Sequence, residues 1–485
     1  MIDRRRFVRT MTAAAVGGVA WTCSDGAAQA PSRQRAVGRG GFRSGGSQLN
    51  VELVAAETEV SLGGRTARLF AFNGRMPGPL LEARAGDEVT IRLANALGES
   101  TNLHFHGLHI PPTGAADNIF LHIPAGDSFT YRFTLPPNHP AGLFWLHPHL
   151  HGSVARQVSR GLAAPFVIRG EIDAIPEVAA AHEQILVLQD FEIDARGSVV
   201  EPSMSALMLG REGSIITTSG AINPRIPILQ NGLLRLRLVN ASVSRFYRLR
   251  LEEHPLHLIG VDGGALGMVR TEDEILLVPG ERVDILIAGN RGQGSYRLLT
   301  LPYDRGSAGM MGGMGGMGGS APGAGTPQTL ATIEYRGRAD RSWTIPGSLV
   351  RTVDALPASS LPPRIFQLGQ GMGMGMGRGM SFTINGRAFD ANRIDSTPRL
   401  GTVEEWVYVN ATQMDHPMHL HTNPFQIIGN DGFPEAAWRD IALVKAGRQV
   451  RLRVRFDDYA GKTVQHCHIL DHEDQGMMAT VEMRG

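Results

Sequence analysis

The sequence predicts an all-β protein made of three consecutive β-sandwich domains. Two alternating segments each occur three times, and no long segment has a convincing helical period. The first is a strand that ends in Asn-Ala, at 88–96, 234–241 and 405–411. The second is a strand that follows a Gly-containing turn, at 125–133, 279–287 and 446–454. Alternation with period two, bounded by Gly, Pro and Asn, is typical of half-buried strands joined by turns.

The repeats also predict where the domains lie. The chain has 485 residues, a length that suggests about three domains, and these are predicted at 48–170, 180–340 and 345–485. Two Gly/Met runs, 310–319 in the second domain and 371–380 early in the third, contain too much glycine to form core and are predicted as loops. Residues 31–47, rich in Arg, Gly and Ser, are predicted to form a flexible leader.

The N-terminal segment 1–30 predicts an export signal. It contains Arg4-Arg5-Arg6-Phe-Val-Arg9, then a short apolar stretch, then the small-residue cleavage pattern Ala28-Gln29-Ala30. This pattern is typical of twin-arginine export and predicts a periplasmic or secreted protein. A lipidated Cys23 is a weaker alternative. The apolar stretch is too short to cross a bilayer, so no membrane span is expected.

Net charge limits the classes of partner that the sequence predicts, and cysteine content limits the disulfides. The formal net charge is +1, which gives no reason to expect nucleic acid or an anionic membrane surface as a partner. Cleavage after Ala30 would leave Cys467 as the one cysteine of the mature chain, so no internal disulfide is predicted. A monomer is expected.

Most of the functional information lies in the histidines. Of seventeen, ten fall in four short clusters. In a strand, residues i and i+2 point to the same face, so each His-x-His pair delivers two imidazoles to one place. Four such clusters in one chain predict metal binding. They are His104-Phe-His106, His147-Pro-His149, His416-Pro-Met-His419-Leu-His421 and His466-Cys467-His468-(three residues)-His472.

The cluster around Cys467 indicates which metal. Alternation sends His466 and His468 to one side of the strand and Cys467 to the other. Cys467 and His472, with Met477 five residues further on and His416 from a distant loop, supply a thiolate, two imidazoles and a weak thioether. This donor set selects copper in a blue electron-transfer site, whereas zinc would prefer four strong ligands.

These residues resemble the signatures of the multicopper oxidases, the family of laccases, bacterial copper-efflux oxidases, bilirubin oxidases and ascorbate oxidase. The resemblance extends over nearly the whole mature chain, because the threefold repeat matches three consecutive cupredoxin-like Greek-key β-sandwiches. It implies four successive one-electron oxidations of a reducing substrate, coupled to the four-electron reduction of O₂ to water. Non-catalytic members that have lost copper are a poor match, because no ligand of the family pattern is missing.

The resemblance also implies how four copper ions would be held. A type 1 copper would take His416, Cys467 and His472, with Met477 as axial ligand, and a type 2 copper would take His104 and His419. The middle domain, with no histidine cluster, would space the other two so that their clusters meet. The two type 3 coppers would share the remaining six ligands: His106, His147, His149, His421, His466 and His468.

Three further residues are given catalytic roles by the same resemblance. Cys467 would pass electrons to the neighbouring His466 and His468. Asp117, after the first cluster, and Glu473, directly after His472, resemble in position the carboxylates that deliver protons in this family. The alternative for both acids is a solvated carboxylate in a loop.

The electron donor is left open between Cu(I) and organic molecules such as phenols and aromatic amines. Thioethers suit Cu(I), which favours the methionines of the two runs as ligands; flexible linkers are the alternative. The second run is expected to matter more, because the first belongs to the middle domain. Met414, two residues before His416, is a further candidate, with buried packing as its alternative. The run residues are Met310, Met311, Met314, Met317, Met372, Met374, Met376 and Met380.

The sequence therefore predicts a multicopper oxidase that uses O₂ and a small reductant, with a role in copper tolerance. A general laccase with phenolic substrates and no part in copper homeostasis is the alternative within the enzyme class. A periplasmic copper-binding or storage protein is the alternative outside it.

Overall fold

The computed structural model of the protein describes residues 41–306, 325–351, 353–372, 380–429 and 436–485. All of them belong to one unit, Arg35–Gly485. Strands contain 50% of the residues and helices 6%, which confirms the predicted all-β fold. The described strands form six sheets, and three consecutive stretches of the chain contribute two sheets each.

The first domain has nine strands and one short helix. Its two sheets have the strand orders β1-β4-β9-β8-β6 and β3-β2-β5-β7, with the following bounds: β1 Phe42–Arg43, β2 Gln48–Leu62, β3 Arg65–Phe72, β4 Leu81–Arg84, β5 Glu88–Asn95, β6 His104–His106, β7 Ser128–Thr134, β8 Gly142–His147, α1 Val154–Ser159 and β9 Ala164–Arg169.

The second domain follows a 3₁₀ turn, Glu171–Ala174, and the helix α2, Pro176–Ala180. Its sheets have the orders β11-β10-β13-β18-β15-β16 and β12-β20-β19-β14-β17. The bounds are β10 His182–Phe191, α3 Met204–Leu209, β11 Ile215–Thr218, β12 Arg225–Gln230, β13 Leu233–Asn240, β14 Tyr247–Leu251, β15 Leu256–Val261, β16 Gly264–Glu272, β17 Ile275–Leu277, β18 Arg282–Ala288, β19 Ser295–Leu301 and β20 Gln328–Arg338.

The third domain carries the last two histidine clusters. Its sheets have the orders β22-β21-β23-β27-β25 and β26-β24-β28-β29. The bounds are β21 Arg364–Met372, β22 Met380–Ile384, β23 Thr402–Asn410, β24 His416–Leu420, β25 Phe425–Ile428, β26 Ile441–Val444, β27 Gln449–Phe456, β28 Gly461–Cys467, α4 Leu470–Asp474 and β29 Met478–Met483.

Alternating burial explains why each sheet pair encloses a core. Along β2 the side chains of Leu49, Val51 and Leu53 are buried, and the residues between them are exposed. Each domain has its own main cluster of buried apolar side chains. One strand pair runs parallel at the same place in every domain, namely β2–β5, β10–β13 and β21–β23. Parallel neighbours need a crossover connection, which a Greek-key sandwich provides.

The repeated Asn joins the two repeated sequence elements in every domain. Its side-chain amide donates to a backbone carbonyl on the facing loop or strand, and its backbone N–H donates to the second element. For Asn95, Asn240 and Asn410 the side-chain acceptors are Ile123, Leu277 and Val444, at 2.9, 3.0 and 2.9 Å. The backbone acceptors are Asp127, Glu281 and Arg448, at 2.9, 3.0 and 2.9 Å.

The prediction of a flexible leader up to residue 47 is wrong from Phe42 onward. The backbone N–H of Phe42 donates to the carbonyl of Leu80 at 2.8 Å, and that of Ser44 donates to Glu82 at 2.9 Å. The cause is that β4 offers a free edge, and Phe42 has an apolar side chain that packs on the first core. The predicted export signal and residues 31–40 of the leader lie outside the described residues.

The helices are short. Those in the described part of the chain have at most six residues, and none has the length and apolar content to cross a membrane.

Candidate metal centres

Paired strands bring the histidine clusters together within each domain. In the first domain β6 and β8 are antiparallel neighbours, with His104 opposite His147. In the third domain β24 and β28 are antiparallel neighbours, with His419 opposite His466 and Met418 opposite Cys467. Register in the sheet therefore brings together residues that lie more than forty positions apart in the sequence.

Eight of these imidazoles meet where the first and third domains contact each other. All are buried, none more than 1% exposed. In three groups, one ring nitrogen from each residue lies within 4.8 Å of the others. We call these eight residues the interdomain centre. The groups are His104, His106 and His419; His106, His147 and His468; and His149, His421 and His466.

Ring nitrogens in this centre face one another across short distances. Nε2 of His104 lies 3.3 Å from Nε2 of His419. Nε2 of His466 lies 3.1 Å from Nε2 of His149 and 3.0 Å from Nε2 of His421. A neutral imidazole carries one N–H and one lone pair. A cation between such nitrogens would satisfy lone pairs that otherwise face each other.

Hydrogen bonds at the opposite ring nitrogen fix which lone pair faces the centre. In four histidines Nδ1 contacts an acceptor, which leaves Nε2 to face the other imidazoles; this is how metal-binding histidines are held in proteins. The acceptors are an Asp117 carboxylate oxygen for His104 at 2.9 Å, Pro148 O for His147 at 2.9 Å, Asp440 O for His419 at 2.8 Å and Cys467 O for His466 at 3.0 Å.

His106 is held the other way round. Its Nε2 donates to Oδ1 of Asp440 at 3.0 Å. Its Nδ1 is buried and has no hydrogen-bond partner among the described residues. Nε2 of His147 and both ring nitrogens of His468 are likewise buried and unpartnered within the described chain. Buried nitrogens without partners are costly unless a ligand satisfies them.

Burial favours the neutral form of the four first-domain imidazoles of this centre. Desolvation lowers the pKa of His147 to about 3, and it is also the largest cause that lowers the pKa of His104, His106 and His149. The charges that neighbouring imidazoles would carry if protonated lower the pKa of His149 further. Neutral imidazole is the form that binds metal ions.

The remaining ligand candidates form a second group in the third domain, which we call the Cys467 centre. Sγ of Cys467 lies 3.4 Å from Nδ1 of His416 and 4.0 Å from Nδ1 of His472. The two Nδ1 atoms are 3.4 Å apart, and all three side chains are fully buried. Cys467 faces away from His466 and His468, as alternation along β28 predicts.

The chemistry of the Cys467 centre calls for a soft cation. Burial raises the pKa of the Cys467 thiol far above its usual value, so a thiolate here needs a bound cation to offset desolvation. Met477 is fully buried in the same apolar cluster, and its carbonyl accepts a hydrogen bond from the Cys467 N–H at 3.0 Å. Two imidazoles, a thiolate and a nearby thioether are the donors that copper prefers.

The three domains also match known family models. Models described as multicopper oxidase match residues 54–172, 182–312 and 360–484. The chain belongs to the multicopper oxidase family. It is therefore an oxidoreductase with copper cofactors. The buried unpartnered nitrogens and the soft donors of the two centres fit such a cofactor.

Relatives and solved structures cover nearly the whole chain. The multicopper oxidase mco of Staphylococcus haemolyticus is 27% identical over 85% of this chain and 83% of its own length. A Campylobacter jejuni multicopper oxidase, a metallo-oxidase, has a TM-score of 0.77 at 29% identity, covering 91% of this chain and 92% of its own. A laccase-like multicopper oxidase, CueO, from Ochrobactrum sp., with oxidase activity towards lignin model compounds and lignosulfonate, has a TM-score of 0.76 at 28% identity, covering 90% and 97%.

Asp117 lies against the interdomain centre of this multicopper oxidase. Its carboxylate contacts Nδ1 of His104 at 2.9 and 3.0 Å and accepts the backbone N–H of Phe105 at 2.9 Å. Burial raises the pKa of Asp117 to about 8, and the bond from Phe105 partly opposes that rise. A carboxyl with a pKa near neutrality can hold and release a proton at working pH.

Glu473 lies on the other side of the same centre. It belongs to α4, which starts three residues after Cys467, and its side chain is fully buried. Oε2 of Glu473 lies 3.0 Å from Nδ1 of His466, and Oε1 lies 3.5 Å from Nε2 of His149. Both predicted acids are thus buried beside candidate ligands, which disfavours the alternative of solvated loop carboxylates.

Two residues that contact the interdomain centre were missed from the sequence. Asp440 accepts a hydrogen bond from His106, and Arg282 donates to both of its carboxylate oxygens at 2.7 and 2.5 Å. Burial alone would raise the pKa of Asp440, but the Arg282 guanidinium holds it well below the usual range. The available signal was weak: an arginine that opens the apolar strand β18, directly after the Gly-containing turn Pro279-Gly280-Glu281.

Two neutral groups that contact the Cys467 centre were also missed. Nε2 of His416 lies 2.8 Å from the hydroxyl oxygen of Thr412, and Nε2 of His472 donates to the carbonyl of Met208 in α3 at 3.1 Å. Phe382 stacks on His472 with ring centroids 3.8 Å apart. A backbone carbonyl from another domain has no sequence signature, so only the structure reveals this contact.

Of the nine candidate methionines, Met414 is the one whose side chain the structure describes. Met310, Met311, Met314, Met317, Met374 and Met376 lie outside the described residues, and Met372 and Met380 are described for the backbone alone, as partners at the end of the β21–β22 ladder. Met414 is fully buried, which favours the packing interpretation over contact with a dissolved ion.

Proposed function

We propose that this multicopper oxidase oxidises Cu(I) and reduces O₂ to water, and that it serves in copper tolerance. The observation that carries the proposal is the closure of the Cys467 centre. Neither of its histidines presents a free ring nitrogen to an organic substrate, because Thr412 and Met208 occupy both outer nitrogens.

The proposal includes four copper ions. A type 1 copper would be held at the Cys467 centre by His416, Cys467 and His472, with Met477 as a weak thioether donor, and a type 2 copper would be held by His104 and His419. The other six histidines are assigned to a type 3 pair. Support comes from their grouping, because His106, His147 and His468 form one set of three converging nitrogens and His149, His421 and His466 form another.

Copper, when bound, supplies one-electron acceptance at the Cys467 centre and the reduction of O₂ at the interdomain centre. The chain connects the two, because Cys467 is joined by single peptide links to His466 and His468. One O₂ takes four electrons and four protons to give two molecules of water. Asp117 and Glu473 are proposed to supply those protons at the interdomain centre, where both contact histidines.

The closed outer nitrogens argue against phenols as main donors. Oxidation of a phenol removes an electron and a proton, and direct contact with a type 1 imidazole offers the shortest route for the electron. Both type 1 histidines have no exposed surface. A small ion that binds to flexible sulfur ligands does not need access to an imidazole edge.

The residues that flank each methionine run support Cu(I) as donor. Gly306, the last described residue before the first run, pairs with Met414, two residues from His416. The N–H of Asp415 donates to the carbonyl of Arg305 at 2.8 Å. The described chain just before the first run therefore lies beside the Cys467 centre. This proximity disfavours the expectation that the first run matters less than the second.

One described end of the second run, Met380, also lies near the Cys467 centre. The first two residues of the run end β21, and its last residue, Met380, begins β22. Phe382, two residues further along β22, stacks on His472. Two residues of strand span about 7 Å, so the backbone at the end of this run lies within reach of the Cys467 centre for an ion held by long, soft side chains.

A general laccase remains the second candidate. The observation in its favour is the likeness to the Ochrobactrum enzyme, which oxidises lignin model compounds and lignosulfonate. We further propose that the protein is exported by the twin-arginine route to the periplasm or the outside of the cell, on the strength of its N-terminal sequence. A monomer stays an expectation.

The test uses purified full-length protein loaded with copper. Copper per chain and the blue band are measured first, and then kcat/KM with Cu(I) and with 2,6-dimethoxyphenol by O₂ consumption. About four coppers, a blue band and a strong preference for Cu(I) are expected. A preference for the phenol would make the protein a laccase. Copper binding without O₂ consumption would favour the storage protein.

A further inference from the structure

The middle domain contributes no histidine to either centre, yet one of its side chains reaches the interdomain centre. Arg282 opens β18 and is fully buried. Its two terminal nitrogens donate to the two carboxylate oxygens of Asp440, at 2.7 and 2.5 Å. Such a paired arrangement fixes the plane of the carboxylate as well as its position.

Arg282 contacts all three domains. Its Nε donates to the carbonyl of Leu143 in the first domain at 3.1 Å. Within its own domain it donates to the carbonyls of Gly280 at 3.1 Å and Asp262 at 2.8 Å. Asp440, its carboxylate partner, belongs to the third domain. The guanidinium is therefore held in place from three sides.

Asp440 passes this fixed geometry to two histidines. Its Oδ1 accepts the Nε2–H of His106 at 3.0 Å, and its backbone carbonyl accepts the Nδ1–H of His419 at 2.8 Å. The two rings stack with centroids 3.9 Å apart and planes 10° apart. One residue thus sets the tautomer of a histidine from the first domain and of one from the third.

The two tautomers are opposite, and that difference matters for binding. His106 donates from Nε2 and so directs its Nδ1 lone pair inwards, whereas His419 donates from Nδ1 and directs Nε2 inwards. The middle domain also restricts ring movement at Gly280, which has φ +85°. A Cβ at this position would lie 3.0 Å from Cε1 of His106 and 2.8 Å from Cδ2 of His468.

We propose that Arg282 and Asp440 are positioning residues through which the middle domain sets the orientation of His106 and His419 for copper. The inference rests on the proposed function, which assigns these histidines to the type 3 and type 2 coppers. It gives the middle domain a part in building the interdomain centre beyond spacing its neighbours.

A merely structural salt bridge is the alternative, and the chain offers a matched control for it. Asp284 lies two residues after Arg282 on the same strand, is 7% exposed, and pairs with Arg235 at 2.5 Å. Its ion-pair partners, Arg235 and Arg237, belong to the middle domain and are not candidate ligands. Loss of Asp284 breaks a comparable buried ion pair and leaves the histidines untouched.

The experiment compares Asp440→Ala, Asp440→Asn and Asp284→Ala in full-length protein. Copper per chain is measured against a competing chelator, together with the type 2 electron paramagnetic resonance signal and the near-ultraviolet band of the type 3 pair. The blue band serves as an internal reference. Asp440→Ala is expected to weaken copper binding at the interdomain centre by about 10- to 100-fold, with the blue band unchanged. Asp440→Asn should recover part of that loss, because its amide oxygen can accept from His106.

The outcomes separate this inference from the proposed function. If the wild type lacks type 2 and type 3 signals, the copper assignment has failed. If the wild type has them and Asp440→Ala matches Asp284→Ala, the positioning role is contradicted. Thermal unfolding of each metal-free variant shows whether it folds. Should Asp440→Ala not fold, the neutral pair Asp440→Asn with Arg282→Gln replaces it, and intact type 2 and type 3 signals in that variant would overturn the inference.

Discussion

The two centres differ in what surrounds their histidines. At the interdomain centre, carboxylates of Asp117, Asp440 and Glu473 lie within 3.0 Å of a ring nitrogen. At the Cys467 centre, the groups that contact the outer nitrogens are neutral, namely a threonine hydroxyl and a peptide carbonyl. One centre is thus equipped to handle protons, and the other only to accept electrons.

This difference matches the division of labour in the proposed reaction. O₂ becomes water only where protons arrive with the electrons, and buried acids beside the imidazoles can provide them. Oxidation of Cu(I) releases no proton, so the Cys467 centre needs none. A phenol-oxidising centre would gain from an acceptor for the phenol proton. The comparison therefore supports a metal ion as donor.

The largest effect is expected from Cys467→Ser, which should disable the Cys467 centre and leave the interdomain centre intact. Blue colour and substrate oxidation should vanish, because the type 1 copper loses its one thiolate. The copper bound by the eight histidines should remain, as measured by metal content and electron paramagnetic resonance. A variant that stayed blue would show that the type 1 assignment is wrong.

The acids of the interdomain centre should have the next largest effect. Asp117→Asn and Glu473→Gln should each slow reoxidation by O₂ by about 10²- to 10⁴-fold, the usual cost of losing a positioned proton donor. Reduction of the Cys467 centre by Cu(I) should stay fast in stopped-flow measurements. Glu57→Gln, at an exposed site on β2, is the control. Unchanged reoxidation in both variants would remove these acids from the mechanism.

Acid should destabilise the metal-free protein, mainly through the interdomain centre. Seven of its histidines have a pKa lowered below 6.5 by burial. Below pH 6.5 the unfolded chain therefore binds protons that the folded chain does not, so stability is present above that pH and is lost as pH falls. Each histidine contributes about 1.4 kcal/mol per pH unit. The slope of unfolding free energy between pH 6 and 5 should fall in His147→Gln; an unchanged slope would contradict the burial argument.

The smallest effect is expected at Thr412, which contacts the Cys467 centre. Thr412→Val removes the hydroxyl beside His416 at nearly constant volume and leaves Nε2 of His416 buried without that partner. The loss should cost about 1–3 kcal/mol of stability and shift the blue band, with the type 2 and type 3 signals unchanged. A change in the type 2 and type 3 signals with an unchanged blue band would contradict the expected effect of Thr412 on the Cys467 centre.

The grouping of the candidate ligands was predictable because strand alternation delivers them in pairs, and the repeated Asn was visible because it recurs at one place in each domain. Their hydrogen-bond partners were not. Thr412 is an ordinary loop residue in the sequence, and Asp440 lies outside all four histidine clusters. The contact from Met208 uses a backbone carbonyl, which a residue of any type could provide. The leader was misjudged at Phe42, where composition suggested flexibility but a free strand edge allowed pairing. The methionine runs stay a prediction.

The most direct test of the central claim replaces both methionine runs with serine in the full-length, copper-loaded protein. KM for Cu(I) should rise severalfold, and oxidation of a small phenol should be unchanged or faster, with the blue band intact. Replacing each run alone should have comparable effects, because described residues next to each run, Gly306 and Phe382, lie beside the Cys467 centre. Met268→Ser, at a methionine that is 71% exposed on β16, is the control and should change nothing. An unaltered KM for Cu(I) in the full replacement would mean that the runs are linkers and that the protein is a laccase.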